Sequence, residues 1–109
     1  MLINFNSQEE QIFENMNGGS GRVHAKMFMN SSGKVIISRL EPGASIGLHT
    51  QNNGNDINFI VSGNGKAVCD GIEEILTAGN CHYCPKGSSH SIINAGTEDL
   101  VLYTVVDES

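Results

Sequence analysis

Within the stretch GASIGLHTQNNGNDINFIVSGNG, Gly43 to Gly65, a polar run of His49-Thr50-Gln51 followed by Asp56 stands between two segments that read as buried strands. An imidazole, an amide or a carboxylate taken into a core costs several kcal/mol unless it is paired, hydrogen-bonded or bound to something. These side chains therefore either point into water or converge on a ligand. Alternation decides which of them can meet, because positions i, i+2 and i+4 of a strand share a face. His49 and Gln51 point the same way; Asp56, Asn58 and Ile60 do so on the next strand, and His90, Ile92 and Asn94 on a later one. Leu48 alternates with His49, and Ile57, Phe59 and Val61 alternate with Asp56 and Asn58. With the apolar set packed against an outer layer or a neighbouring subunit, the polar set faces an interior, and a ligand explains it.

A second candidate carries less. Cys81-His82-Tyr83-Cys84 forms a CxxC, a spacing found in redox and zinc sites. A zinc ribbon needs a second such pair, and a thioredoxin-like site needs a strand-to-helix turn, whereas Pro85-Lys86-Gly87 reads as a β-turn. On an extended strand, positions three apart face opposite sides, so these two thiols do not meet. The three cysteines, an odd number without an export signal, are expected to be reduced thiols with structural or incidental roles. His24 and His82 are lone histidines on candidate strands and read as surface or packed residues; His82 reaches an interior cavity only if its strand is phased inward.

The elements that must position these groups are short apolar runs with turn punctuation. Strands are expected at about Arg22–Met29, Lys34–Leu40, Ala44–Thr50, Ile57–Ser62, Lys66–Cys69, Ile72–Leu76, Cys81–Cys84, Ser89–Asn94 and Leu100–Val106. Asp70-Gly71 is a type I′ hairpin signal, and Ser62-Gly63-Asn64-Gly65 a further tight reversal. The run Leu100–Val106 is apolar on both faces, as expected of a strand inside a sandwich. One short helix is expected at Ser7–Met16, where Ser7 precedes Glu9 and Glu10 and where Ile12, Phe13 and Met16 can share a face. Many short strands at regular spacing mean an all-β sandwich or barrel. The length of 109 residues fits one domain, read as an N-terminal extension over residues 1–21 and a barrel over 22–109.

Charge excludes several partner classes. The net charge of −6 comes from acids spread along the chain, with Lys and Arg as scattered singles, so nucleic acid and anionic membrane surfaces are not expected partners. MLINFNSQEE has no basic n-region or apolar run, and no segment is long enough to span a bilayer, which sets a cytoplasmic expectation.

Two spaced motifs then carry a resemblance. Gly43-x5-His49-x-Gln51-x4-Asp56-x6-Gly63 resembles the first motif of the cupin family, in which a glycine, a His-x-His pair, a glutamate and a final glycine occur at these spacings. Gly79-x5-Pro85-x-Gly87-x2-His90-x3-Asn94 matches the second cupin motif at every defined position, and the short insert Asn64–Ala78 lies between them, as in the smallest cupins. Glu14–Gly21 also resembles the lead-in of small bacterial single-domain cupins of the cupin-2 type. The resemblance implies a jelly-roll barrel, that is, a double-stranded β-helix. It also implies a divalent metal held by His49, Gln51, Asp56 and His90, with Asn58, Ile60, Ile92 and Tyr83 lining the cavity. Gln51 replaces the family's second histidine and Asp56 its glutamate, so one imidazole nitrogen becomes an amide oxygen and one carboxylate is a methylene shorter. Two histidines and a carboxylate remain, the ligand types of the facial triad of non-haem Fe(II) sites. The amide oxygen shifts the expected metal towards Fe(II) or Mn(II), with nickel and zinc as further candidates.

Two classes of function stay open. As an enzyme, a cupin with this set would be a metal-dependent dioxygenase, isomerase or decarboxylase acting on a small organic molecule. As a binding module, the same cavity would recognise a small polar metabolite without turnover, with the four residues as a hydrogen-bonded interior around ordered water and no metal. An assembly role is the third reading: the outward face with Ile57, Phe59 and Val61 gives a motive for a homodimer.

Overall fold

The computed structural model describes residues 1–109 as ten strands. They are β1 (Gln11–Glu14), β2 (Arg22–Asn30), β3 (Gly33–Leu40), β4 (Ser45–Thr50) and β5 (Asn55–Ser62), then β6 (Asn64–Cys69), β7 (Ile72–Thr77), β8 (Cys81–Cys84), β9 (Ser89–Asn94) and β10 (Leu100–Asp107). Each of the nine expected strands is present, most extended by a residue or two. A six-stranded sheet in the order β1-β2-β3-β10-β5-β8 faces a four-stranded sheet in the order β4-β9-β6-β7, and every pairing is antiparallel. No helix is long and apolar enough to cross a membrane.

The expected helix at Ser7–Met16 does not form. Its residues divide among a 3-10 turn at Phe5–Ser7, strand β1 and a second 3-10 turn at Met16–Gly18. The same apolar residues serve both patterns, and a helix of under a dozen residues is marginal by itself. Pairing wins, because β1 covers the free edge of β2 from Gln11↔Ala25 to Glu14↔Arg22 and brings Phe13 against the core. The second turn then seats on β4: a side chain at Gly47 would collide with the Asn17 carbonyl.

Asp70 (φ 48°) and Gly71 (φ 81°) make the two-residue turn between β6 and β7, as the type I′ signal requires. The reversal at Ser62–Gly65 is a corner rather than a hairpin. At Gly63 (φ 89°) the chain passes from β5 in one sheet to β6 in the other, and a Cβ there would strike the Asp99 carbonyl. Strand β10 is central in its sheet but buried on one face alone: Leu100, Leu102 and Thr104 point inward, whereas Tyr103 and Val105 remain partly exposed. The expectation of burial on both faces fails because nothing in the chain covers the outer side.

The core lies between the sheets, built from Val23, Leu40, Ala44, Ile60, Ala67, Leu76, Ile92, Leu100 and Leu102. At this end of the sandwich Asn94 acts as a brace. Its amide nitrogen donates to the Leu40 and Glu98 carbonyls (2.9 and 2.8 Å), and its oxygen accepts from Gly96 N–H (2.9 Å). The opposite end is polar and open.

Candidate functional site

A cavity of about 260 Å³ opens between the sheets at that polar end. His49, Gln51, Asp56, Asn58, His90 and Ile92 all line it, together with Asn17, Lys34, Ser38 and Thr104. Three strands, β4, β5 and β9, deliver the first set, with Gln51 directly after the end of β4. Strand β4 carries a bulge: Ile46 pairs with Ile92 and His49 with His90, so Gly47 and Leu48 together oppose Ser91. Regular alternation would send Ile46 and His49 to opposite faces; the extra residue turns both inward, and Leu48 is left outside.

Two expected lining residues lie elsewhere. Ile60 shares the inward phase of Asp56 and Asn58 but sits deeper, within the core cluster, where the sandwich has closed. Tyr83 lies on the outer face of β8, half exposed, because the inward phase of that strand belongs to His82 and Cys84. His82 is fully buried and points inward, though it reaches the site only through His90. His24 is buried on the other face of β2, between Glu41 and Arg39. The CxxC thiols face opposite sides as expected, Cys81 exposed and Cys84 buried, and all three cysteines are free.

The hydrogen bonds fix most protons in the cluster. Glu74 Oε1 lies 2.7 Å from His82 Nδ1, and a carboxylate can only accept, so His82 Nδ1 carries a proton. In neutral His82 the Nε2 lone pair then accepts from His90 Nδ1–H at 2.9 Å, which leaves a lone pair on His90 Nε2. His49 Nδ1 lies 2.8 Å from the Gly47 carbonyl and must donate to it, which leaves a lone pair on His49 Nε2. These two nitrogens are 3.1 Å apart, and Asp56 Oδ2 is 3.2 Å from His90 Nε2.

Asp56 is held in place from below. Asn58 Nδ2 donates to Asp56 Oδ2 at 3.2 Å, and Thr104 Oγ1 donates to Asn58 Oδ1 at 2.7 Å. Burial pushes the Asp56 carboxyl up, but the hydrogen bond and charge of His90 when that ring is protonated, with the bonds from Asn58 and Gln51, outweigh it and hold the group below its usual range. Three acceptor atoms, His49 Nε2, His90 Nε2 and Asp56 Oδ2, therefore share one spot when the imidazoles are neutral. Lone pairs that close repel, so a cation must reconcile them. One added proton does so, and so would a metal ion, whose ligands must present lone pairs of this kind. As they stand, the side chains form a hydrogen-bonded cluster and no ready-made cage of three metal-ligating His, Cys, Asp or Glu residues.

Fold and motif now agree with comparison to known proteins. The cupin domain model matches residues 36–106. The chain is a cupin. Its sequence is 30% identical over 112 residues to an oxalate-binding protein of Thermotoga maritima, covering 97% of this chain and 93% of that protein. Among solved structures, this cupin superimposes on a crystal structure described as a predicted oxalate decarboxylase from Thermotoga maritima. The TM-score is 0.93 and the identity 27%, with all of both chains covered. An RmlC-like cupin from Shewanella frigidimarina shares the fold at a TM-score of 0.73 and 19% identity, over 94% of this chain and 87% of that one.

Sequence reasoning missed Lys34, Ser38, Thr104 and Asn17 as cavity residues. Three carried a signal: Thr104 shares the phase of Leu102 and Leu100, and Lys34 and Ser38 that of Ile36 and Leu40, the inward positions of β10 and β3. Asn17 sits on the turn against β4 and had no periodic signal. Glu74 was missed as well, because nothing local ties an edge-strand carboxylate to a buried histidine.

Proposed function

We propose that this cupin binds one divalent metal ion through His49, Asp56 and His90, with Gln51 as the neutral fourth ligand, and that the cavity above takes a small polar metabolite. The observation that carries this is the convergence of three lone-pair atoms around His90 Nε2. A bound ion would supply a Lewis acid and a template with positions open to oxygen ligands. The residues do the rest. Glu74 and His82 hold His90 as the Nδ1–H tautomer; Asn58 and Thr104 aim Asp56; Ile46, Ile92 and Val106 keep the cavity walls apolar. An amide oxygen and a carboxylate beside two imidazoles favour Fe(II) or Mn(II) over zinc. Lys34, the one cationic side chain other than histidine on the wall, faces the cavity and favours an anionic ligand. Together with the descriptions of the Thermotoga maritima sequence and structure matches, it makes oxalate the first candidate, bound or decarboxylated.

A metal-free binding module is the second reading. It is favoured by the completeness of the hydrogen bonding, since no buried side-chain nitrogen or oxygen lacks a partner. Metal analysis of freshly purified, untagged protein, followed by calorimetric titration of oxalate with and without Mn(II), separates the two. Oxalate binding that needs the metal supports the first reading; oxalate binding by metal-free protein, unchanged by Mn(II), supports the second.

The oligomer we propose is a homodimer through the outer face of the six-stranded sheet. Tyr103 pairs with Phe59 and Ile57 with Tyr83 across adjacent strands, and the three aromatics of this group are each about half exposed. Light scattering at micromolar concentration is expected to give twice the chain mass of 11.7 kDa, and a monomer mass would overturn it.

A further inference from the structure

The thiols that approach each other are not those of the CxxC. Cys69 ends β6 in the four-stranded sheet and Cys84 ends β8 in the six-stranded sheet, and their Sγ atoms lie 3.9 Å apart across the sandwich. Alternation brings them there: Cys69 shares the inward phase of Ala67, and Cys84 that of His82. Each thiol also sits beside a site residue in the strand register, Cys69 opposite His90 on β9 and Cys84 opposite Asp56 on β5. We propose that Cys69 and Cys84 form a reversible redox pair whose disulfide ties the two sheets together behind the cavity residues His90 and Asp56 and displaces one relative to the other.

The two thiols differ in access. Cys69 is half-buried and open to a small oxidant, whereas Cys84 is fully buried. A small oxidant therefore meets Cys69 first, and Cys84, shielded from solvent with its sulfur 3.9 Å away, stands where it can resolve the oxidised Cys69. With hydrogen peroxide as oxidant, the Cys69 sulfur attacks one peroxide oxygen, the O–O bond breaks, and a sulfenic acid and one water result. The Cys84 sulfur then attacks the sulfenic sulfur, the S–O bond breaks, and the hydroxyl leaves with the Cys84 proton as a second water. Two thiols are oxidised by two electrons and one peroxide is reduced by two. A disulfide needs a sulfur separation of about 2 Å, so closing the gap draws the paired strands inward and moves the residues they carry.

The test uses the full-length protein without added metal, so it stands apart from the metal reading. Reduced protein, with Cys81→Ser to prevent coupling between chains, is treated with a small excess of peroxide, alkylated, cleaved after Glu73 or Glu74 and mapped by mass spectrometry. Expected is a loss of two hydrogens, a fragment pair joined through Cys69 and Cys84, and full reversal by dithiothreitol. In the wild type the same joined pair forms, with Cys81 alkylated. The side-chain nitrogen resonances of His90 are expected to shift between the reduced and oxidised forms. Linkage through Cys81 in the wild type, or sulfinic acid at Cys69 with no joined fragments, would overturn the pair. A disulfide that forms while the His90 resonances stay fixed would overturn its coupling to the site.

Discussion

Two histidine clusters lie buried in this sandwich, and only one has the character of a site. His24, on the outer side of β2, accepts at Nδ1 from the Arg39 guanidinium (3.2 Å) and donates from Nε2 to Glu41 (2.6 Å). Arg39 also donates to Glu10 (3.0 and 3.1 Å) and Asp99 (3.0 Å), so every donor in this cluster meets an acceptor. His90 is equally buried, but its Nε2 meets two acceptors, at the rim of a cavity. Burial with ionic partners is thus the common feature, and the unresolved proton count is the difference. The closed cluster staples β2 to β3 and to the N-terminal segment, whereas the open one needs a cation.

The sharpest way to break the contrast is to remove each histidine in turn. His90→Ala is expected to weaken Mn(II) affinity at least 100-fold and, because it strands the buried His82, to lower stability by about 1–3 kcal/mol. His24→Ala is expected to lower stability by about 1–2 kcal/mol and leave Mn(II) affinity unchanged. Urea unfolding and metal titration read the two effects separately. Equal metal affinity in both variants would erase the distinction.

A smaller effect sharpens it. Glu74→Gln removes the carboxylate that fixes the His82 proton without touching the cavity, and about a 10–100-fold loss of metal affinity is expected. An unchanged affinity would show that the negative charge of Glu74 contributes nothing to metal binding through His82 and His90.

The smallest effect is on acid stability. Hydrogen bonding to Arg39 holds Glu10 below its usual range, and hydrogen bonding to His24 does the same for Glu41. A carboxyl depressed in the folded state stabilises above its unfolded value, near 4, and loses that contribution as pH falls through the folded value. Wild type is therefore expected to lose stability below about pH 4, with a shallower loss in Arg39→Gln, as read by thermal melts across pH. A parallel pH dependence in the two proteins would remove Arg39 as the cause.

Most of the fold was legible because β-branched residues alternate with polar ones between glycine turns, and period two leaves little choice of face. The N-terminal strand was not legible, since Ile12, Phe13 and Met16 satisfy a helical face as well as a strand, and only the free edge of β2 decides between them. The motif positions did reach one cavity, yet alternation gives the face of a residue and not its depth, which is why Ile60 belongs to the core. The phase of β8 placed Tyr83 outside and His82 inside, and nothing within four residues of sequence fixes that phase. Contacts such as Glu74 to His82 and Cys69 to Cys84 join strands that are distant in sequence or lie in opposite sheets, and no local pattern encodes them.

The most direct test of the cluster is a calorimetric titration of Mn(II) into chelator-stripped protein, run at neutral pH in two buffers of different ionisation enthalpy. If His49, Asp56 and His90 hold a proton that the metal replaces, about one ion binds per chain and about one proton is released, and neither occurs in His90→Ala. Binding with no proton release, or binding that persists in His90→Ala, would contradict the three-acceptor cluster as the metal site.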